Sequence, residues 1–216
     1  MKFKVIIFTF VFLSTEGFAE GFDRCNYSFY NKTPPVIINS SLAKDNYDLC
    51  YSGFAVKYSG VSKTGLWSAA LITPESLSEA SKIKRNNTFH EEERIPFIHR
   101  SLLSDYRGSS FDRGHLSPSA DRKSVKDQYD SFSLANMIPQ SPHVNQEEWR
   151  LAEEAVRTYV KRNNQPAFVI TGSLYLGNKL RKIGNGVLVP SHTYKVVLFP
   201  NLNVAGAYVA VNDESG

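Results

Sequence analysis

Four consecutive residues, Asp112-Arg113-Gly114-His115, bring an acid, a guanidinium, a glycine and an imidazole together, and Leu116-Ser117-Pro118 carries the chain away. Histidine is the side chain best suited to act as a general base near neutral pH. Arg113 stands two residues before His115, so in an extended segment both project to one side, where the guanidinium can hold a phosphate oxygen in fork geometry. Asp112 projects the other way and reads as a structural partner for backbone or a nearby cation. Gly114 gives the backbone freedom to turn tightly. A second stretch, Ser131 to Arg157, runs from an asparagine-bearing turn into an amphipathic helix. Within it Asn145, Trp149, Glu153 and Arg157 step by four, drifting only about 40° per step, so they look toward one groove. Asn145 offers a hard, neutral oxygen suited to Mg2+, which keeps several waters and takes few protein ligands. Glu153 is spaced to bond one of those waters, and Arg157 to face a phosphate. Taken alone the helix has a plainer reading, with Asn145 as a cap and Glu153/Arg157 as a surface pair worth roughly 0.3 kcal/mol. Taken with His115, it describes a site for cutting a phosphodiester with the help of one divalent ion.

The elements that must position these groups are legible in outline. Trp149, Ala152, Ala155, Val156, Tyr159 and Val160 recur at three- and four-residue intervals, an apolar stripe for the helix to bury. Phe54 to Ser59 alternates as a strand does, Ser59-Gly60 breaks it, and Gly65 to Ile72 resumes, which predicts a hairpin. Thr73 to Leu77 reads as a strand end turning to the surface. Ser81 to Arg94 is strongly polar and reads as a solvated loop, Arg85 excepted. Ala167 to Gly172, Val187 to Pro190, Tyr194 to Phe199 and Ala205 to Val211 are further strands. Strands in two groups around a central helix predict an α+β domain on an antiparallel sheet.

Length and composition bound the rest. At 216 residues and 42% hydrophobic, the chain fills one substantial core. Lys2 and Lys4, the apolar run Val5 to Leu13 and the small residues around Gly17-Phe18-Ala19 read as an export signal cleaved near Ala19, the run being too short for a membrane span. Residues 20–50 read as an irregular N-terminal arm and 51–216 as the main domain. The formal charge of +4 drops by one with the signal, so the charge is mild and any polyanion site is local. Secretion or a periplasm implies an oxidising compartment, where Cys25–Cys50 is the only intramolecular pair available; two free thiols are the other reading. Neither cysteine has the spacing of a zinc ligand, and no G-x-S-x-G elbow supports a serine hydrolase.

These residues resemble the DNA/RNA non-specific endonucleases of the ββα-metal, or His-Me finger, type. The match rests on Asp112 to Leu116, on Ser133-Leu134-Ala135-Asn136-Met137-Ile138-Pro139-Gln140, and on Asn145 with Trp149 and Glu153 after it, with a weaker strand at Pro190 to Val197. It runs from about Tyr51 to Val211, and the linked set is more specific than any one piece. The resemblance implies a central antiparallel sheet carrying a ββα-metal motif. It assigns the general base to His115, the single protein metal ligand to Asn145, a site-lining asparagine to Asn136 and contact with the metal's water shell to Glu153. Phosphate-facing arginines fall on Arg113 and Arg157, with a further active-site arginine at Arg85. The implied cofactor is Mg2+, with Mn2+ as its substitute, and the implied substrates are DNA and RNA, cut to 5′-phosphate products. The oligomeric state, monomer or homodimer, stays open, and no membrane contact is expected once the signal is gone. The competing reading is an exported nucleic-acid-binding or inhibitor-binding module that keeps the fold without activity.

Overall fold

Alternating and β-branched runs become strands, and the strands set where everything else can sit. In the computed structural model, which describes residues 21–213, an N-terminal arm leads into β1 (Asn46–Cys50), β2 (Ala55–Ser59) and β3 (Thr64–Ile72), followed by helix α1 (Pro74–Ala80). An irregular stretch leads to β4 (Asp112–His115), helix α2 (Val125–Ser131) and β5 (Met137–Gln140). Helix α3 (Trp149–Asn163) precedes β6 (Ala167–Leu174), the short β7 (Lys182–Ile183) and β8 (Val187–Leu188), and the final pair β9 (His192–Phe199) and β10 (Val204–Val211). Six strands form one antiparallel sheet in the order β1-β2-β3-β6-β9-β10. Strands β4 and β5 form a separate antiparallel ribbon that α3 follows in the chain, giving the ββα unit.

A central strand must bury both of its faces, and β3 does so with two different layers. On one face Ile72, Val169 and Val197 pack against Leu77 of α1 and Val156 and Val160 of α3. On the other, Trp67 and Ala69 meet Phe22 and Phe29 of the arm, whose ring centroids lie 5.1 and 5.8 Å from that of Trp67. The arm is thus a layer of the same domain, which corrects the predicted division at residue 50. Its last five residues are the edge strand β1, and the Cys25–Cys50 disulfide, with Cα atoms 5.5 Å apart, ties arm to strand.

Other departures have local causes. Thr73 to Leu77 is not a strand end but the start of α1. Thr73 Oγ1 accepts from Ser76 N at 3.1 Å, Ser76 Oγ accepts from Thr73 N at 2.9 Å, and Pro74 occupies the first turn. Helix α2, which no periodicity announced, starts where Ser124 Oγ accepts from Asp127 N at 3.1 Å. The stripe on α3 narrows to Trp149, Val156 and Val160, while Ala155 and Tyr159 face solvent. The polar stretch before β4 is not all solvated, because Glu92 is buried against Tyr51, Ser133 and Arg94. The export signal read at 1–19 lies outside the described residues. Among those described, no helix is long and apolar enough to cross a membrane.

Because the disulfide closes a loop of 25 residues onto β1, its removal should release chain entropy in the unfolded state. Cys50→Ser or reduction is expected to lower stability by about 3 kcal/mol, read as a drop in denaturant midpoint with and without dithiothreitol.

Candidate active site

The ribbon fixes the backbone around His115 before any side chain is considered. His115 ends β4 opposite Met137, and Leu116 N donates to Asn136 O at 2.9 Å. Asn136 then uses its whole carboxamide on the backbone. Its Oδ1 accepts from Ser117 N at 2.9 Å, and its Nδ2 donates to Ser117 O and Ser131 O at 2.8 and 2.9 Å. It is fully buried, so the structure corrects its predicted place in the site lining: Asn136 clamps the chain that leaves His115. Gly114 also has a different reason from the one predicted. It sits within β4 rather than in a turn, and a Cβ there would run into the buried Gln140 side chain on β5.

The imidazole of His115 lies in an aromatic setting capped by cations. Phe132 meets it edge-on at 4.9 Å and Phe89 at 6.0 Å. Arg113 lies 4.1 Å over the Phe89 ring and Arg85 5.4 Å over Phe132. Arg85 is further held by Asn87 Oδ1 at 2.8 Å and Ser119 Oγ at 3.3 Å. Burial, then Arg85 and Arg122, push the pKa of His115 down to about 3, so the ring is uncharged over the ordinary pH range. Its Nε2 is buried with no hydrogen-bond partner among the described residues.

Asn145 approaches from the other element. It lies in a π-helical turn, Val144–Glu148, that leads directly into α3. Its Nδ2 donates to Asp112 Oδ2 at 2.8 Å, and Gln146 Nε2 donates to the same oxygen at 2.8 Å. A carboxylate only accepts, so this bond fixes the amide orientation and leaves Asn145 Oδ1 free for a ligand. The π turn also breaks the four-residue ladder read from the sequence, because it adds a residue to one turn. Asn145 and Glu153 reach one cleft, but Trp149 between them is buried beneath it.

That cleft holds about 280 Å3, and Arg85, Arg113, His115, Asn145 and Glu153 all line it. His115 and Asn145 therefore share one hollow. Arg157 does not line it. Its guanidinium lies 3.1 Å from Asp121 and 3.8 Å from Glu153, so it stands behind the carboxylate rather than facing the cleft as predicted. Burial pushes the pKa of Glu153 up to about 7, an effect that Lys195 and Arg157 oppose and Asp121 reinforces.

Two functional candidates escaped the sequence reading. Arg150 lines the cleft five residues after Asn145, a spacing that only the π turn brings round, and pairs with Glu154 at 2.9 Å. Lys195 is 1% exposed, with Nζ 2.6 Å from Thr171 Oγ1 and 5.1 Å over the Trp149 ring. Its signal was present, since a lysine interrupts the buried positions Thr193 and Val197 of an alternating strand.

Among the described residues no three His, Cys, Asp or Glu side chains gather as a metal cage. The donor set of one freed carboxamide oxygen with a carboxylate nearby therefore fits a hard cation that keeps most of its waters, and not zinc.

A ββα unit thus gathers an imidazole, a carboxamide and guanidiniums around one cleft. Residues 33–215 match the family described as DNA/RNA non-specific endonuclease, and the chain belongs to that family. Human mitochondrial endonuclease G is 34% identical over 178 residues, covering 77% of this chain and 56% of that protein. Nuclease C1 of Cunninghamella echinulata var. echinulata is 31% identical over 174 residues, covering 74% and 69%. The nuclease of Nostoc sp. is 32% identical over 162 residues, covering 74% and 57%. The chain thus spans little more than half the length of the endonuclease G it matches. The crystal structure of the EndoG/EndoGI complex, which addresses the mechanism of EndoG inhibition, superposes with a TM-score of 0.68 at 26% identity, over 84% of this chain and 82% of that one.

The two shifted groups have opposite effects on stability. His115 is depressed from 6.5 to about 3, so the unfolded chain takes its proton first and stability falls as pH drops through that interval. Glu153 is raised from 4.5 to about 7, so the folded chain holds its proton longer and stability falls as pH rises through that interval. Melting temperatures measured in EDTA across these intervals should lose their acid slope in His115→Gln and their neutral slope in Glu153→Gln.

Proposed function

We propose that this chain is an exported, Mg2+-dependent, sugar-non-specific endonuclease that hydrolyses phosphodiester bonds of DNA and RNA and leaves 5′-phosphates. What carries the reading is that Asp112 accepts from Asn145 Nδ2, which leaves the amide oxygen to a ligand, and that Asn145 and His115 line one cleft. Membership of the family supports the reaction class. The disulfide supports export, because such bonds persist in oxidising compartments.

Each residue then has a defined task. Arg85 and Arg113, held over the Phe132 and Phe89 rings, bind the scissile phosphate and bring its phosphorus against His115. Neutral His115 takes the proton of the attacking water as it adds to phosphorus. Asn145 would hold the ion through Oδ1, with Glu153 accepting from its hydration waters; the ion supplies compensation for charge developing on the phosphate and the leaving 3′ oxygen. Arg157 and Lys195 balance Glu153 and Asp121 from behind. Contacts made to phosphate carry no sequence information, which accounts for tolerance of both nucleic acids.

Wild-type protein with Mg2+ should nick and then degrade plasmid DNA and should degrade RNA, with EDTA abolishing both; an intact plasmid under these conditions sinks the reading. His115→Ala is expected to lose on the order of a thousandfold in rate while still binding DNA. Asp112→Ala releases the Asn145 amide, so the Mg2+ concentration giving half-maximal rate should rise by about 10- to 100-fold with the maximal rate less affected.

A further inference from the structure

A second, larger hollow of about 950 Å3 adjoins the catalytic cleft. Phe89 forms part of its wall, and the same ring carries the guanidinium of Arg113, which lines the cleft. The next residue, His90, stacks on Tyr129 of α2 with centroids 4.2 Å apart and planes within 8°. This ring pair is held in advance. His90 Nδ1 donates to Thr88 O at 2.8 Å, His90 N to Phe132 O at 3.2 Å, and Leu134 N to His90 O at 2.8 Å. Tyr129 is nonetheless 47% exposed. A rigid aromatic surface open to solvent costs little to order when a flat ligand arrives.

The charges around the hollow narrow what that ligand is. Arg94 is bound to Glu92 at 2.7 Å and lies over the Tyr51 ring, Lys126 is bound to Asp130 at 2.7 Å, and Glu91 accepts from Leu103 N at 3.3 Å. Arg94 and Lys126 are each paired with a carboxylate, and with Arg24 they share the walls with Glu91, Glu92, Glu93 and Asp130, so the hollow has no surplus of positive charge and suits an uncharged aromatic ring better than a phosphate.

Resting on the nuclease reading above, we propose that this hollow is a subsite for one unpaired nucleobase of the strand being cut, stacked on the Tyr129–His90 pair. Phe89 lines this hollow and its ring carries Arg113, so a strand whose phosphate meets Arg113 passes the hollow within a few nucleotides. Every base has a π face, so the subsite adds affinity without sequence preference. A paired base is unavailable to it, so single strands and frayed ends gain what an intact duplex does not.

The test uses an end-labelled single-stranded DNA carrying one stable abasic residue, cut by the full chain with Mg2+ and read as a ladder. The wild type should show about tenfold less cleavage at one phosphodiester a fixed few steps from the missing base. Tyr129→Ala should cut the intact strand about tenfold less efficiently and show no such dip, and Tyr129→Phe, which keeps the ring, should restore both. If Tyr129→Ala does not fold, Tyr129→Leu, which keeps volume without a π face, takes its place. A flat wild-type ladder, or a dip unchanged in the variant, overturns the subsite and leaves the nuclease reading standing. No cleavage of the intact strand by the wild type sinks that reading and the subsite with it.

Discussion

The bond from the Asn145 carboxamide to the Asp112 carboxylate is the constraint on which the site depends. It joins a strand residue to a helix-entry residue 33 positions later, and it settles which end of an ambiguous amide faces the cleft. A carboxylate that accepts from two amides at once, Asn145 and Gln146, also holds the π turn against the ribbon. The acid next to the base is therefore not a second proton carrier. It is the hinge pin between the two halves of the motif.

Around that pin, charge is arranged in layers. Arg85 and Arg113 lie over aromatic rings at the cleft, and Arg85 also donates to Asn87 and Ser119. Glu153 of the cleft wall is backed by Asp121, Arg157 and Lys195, with Trp149 and Thr171 contacting the lysine. A buried carboxylate without such cations would be neutral and a poor acceptor-only group. The His115 ring packs against Phe89 and Phe132 while it lines the cleft.

What the sequence disclosed follows from the kind of information each feature carries. Strands β2, β3, β6, β9 and β10 were legible because alternation and apolar runs are local patterns. His115 and Arg113 stood out by residue type and spacing, whereas Asn145 and Glu153, which the helix alone reads as a cap and a surface pair, were singled out by the family resemblance. Asn136 was misplaced because a buried asparagine that clamps backbone and one that lines a cleft have the same local pattern. Arg150 was missed because a π turn shifts helical phase by one residue and leaves no mark in composition. Helix α1 was misread although Thr73-Pro74 with Ser76 announced its cap, since seven residues are too few to show a period. The arm looked irregular because its order comes from Trp67, far away in the chain.

The arm also ties assembly of the sheet to the redox state of its surroundings. Phe22 and Phe29 reach Trp67 on the face of β3 turned away from α3, and the cystine is the covalent closure of that backing layer. In a reducing cell interior the closure is withheld, so a newly made chain lacks part of what stiffens the floor under its own chemistry.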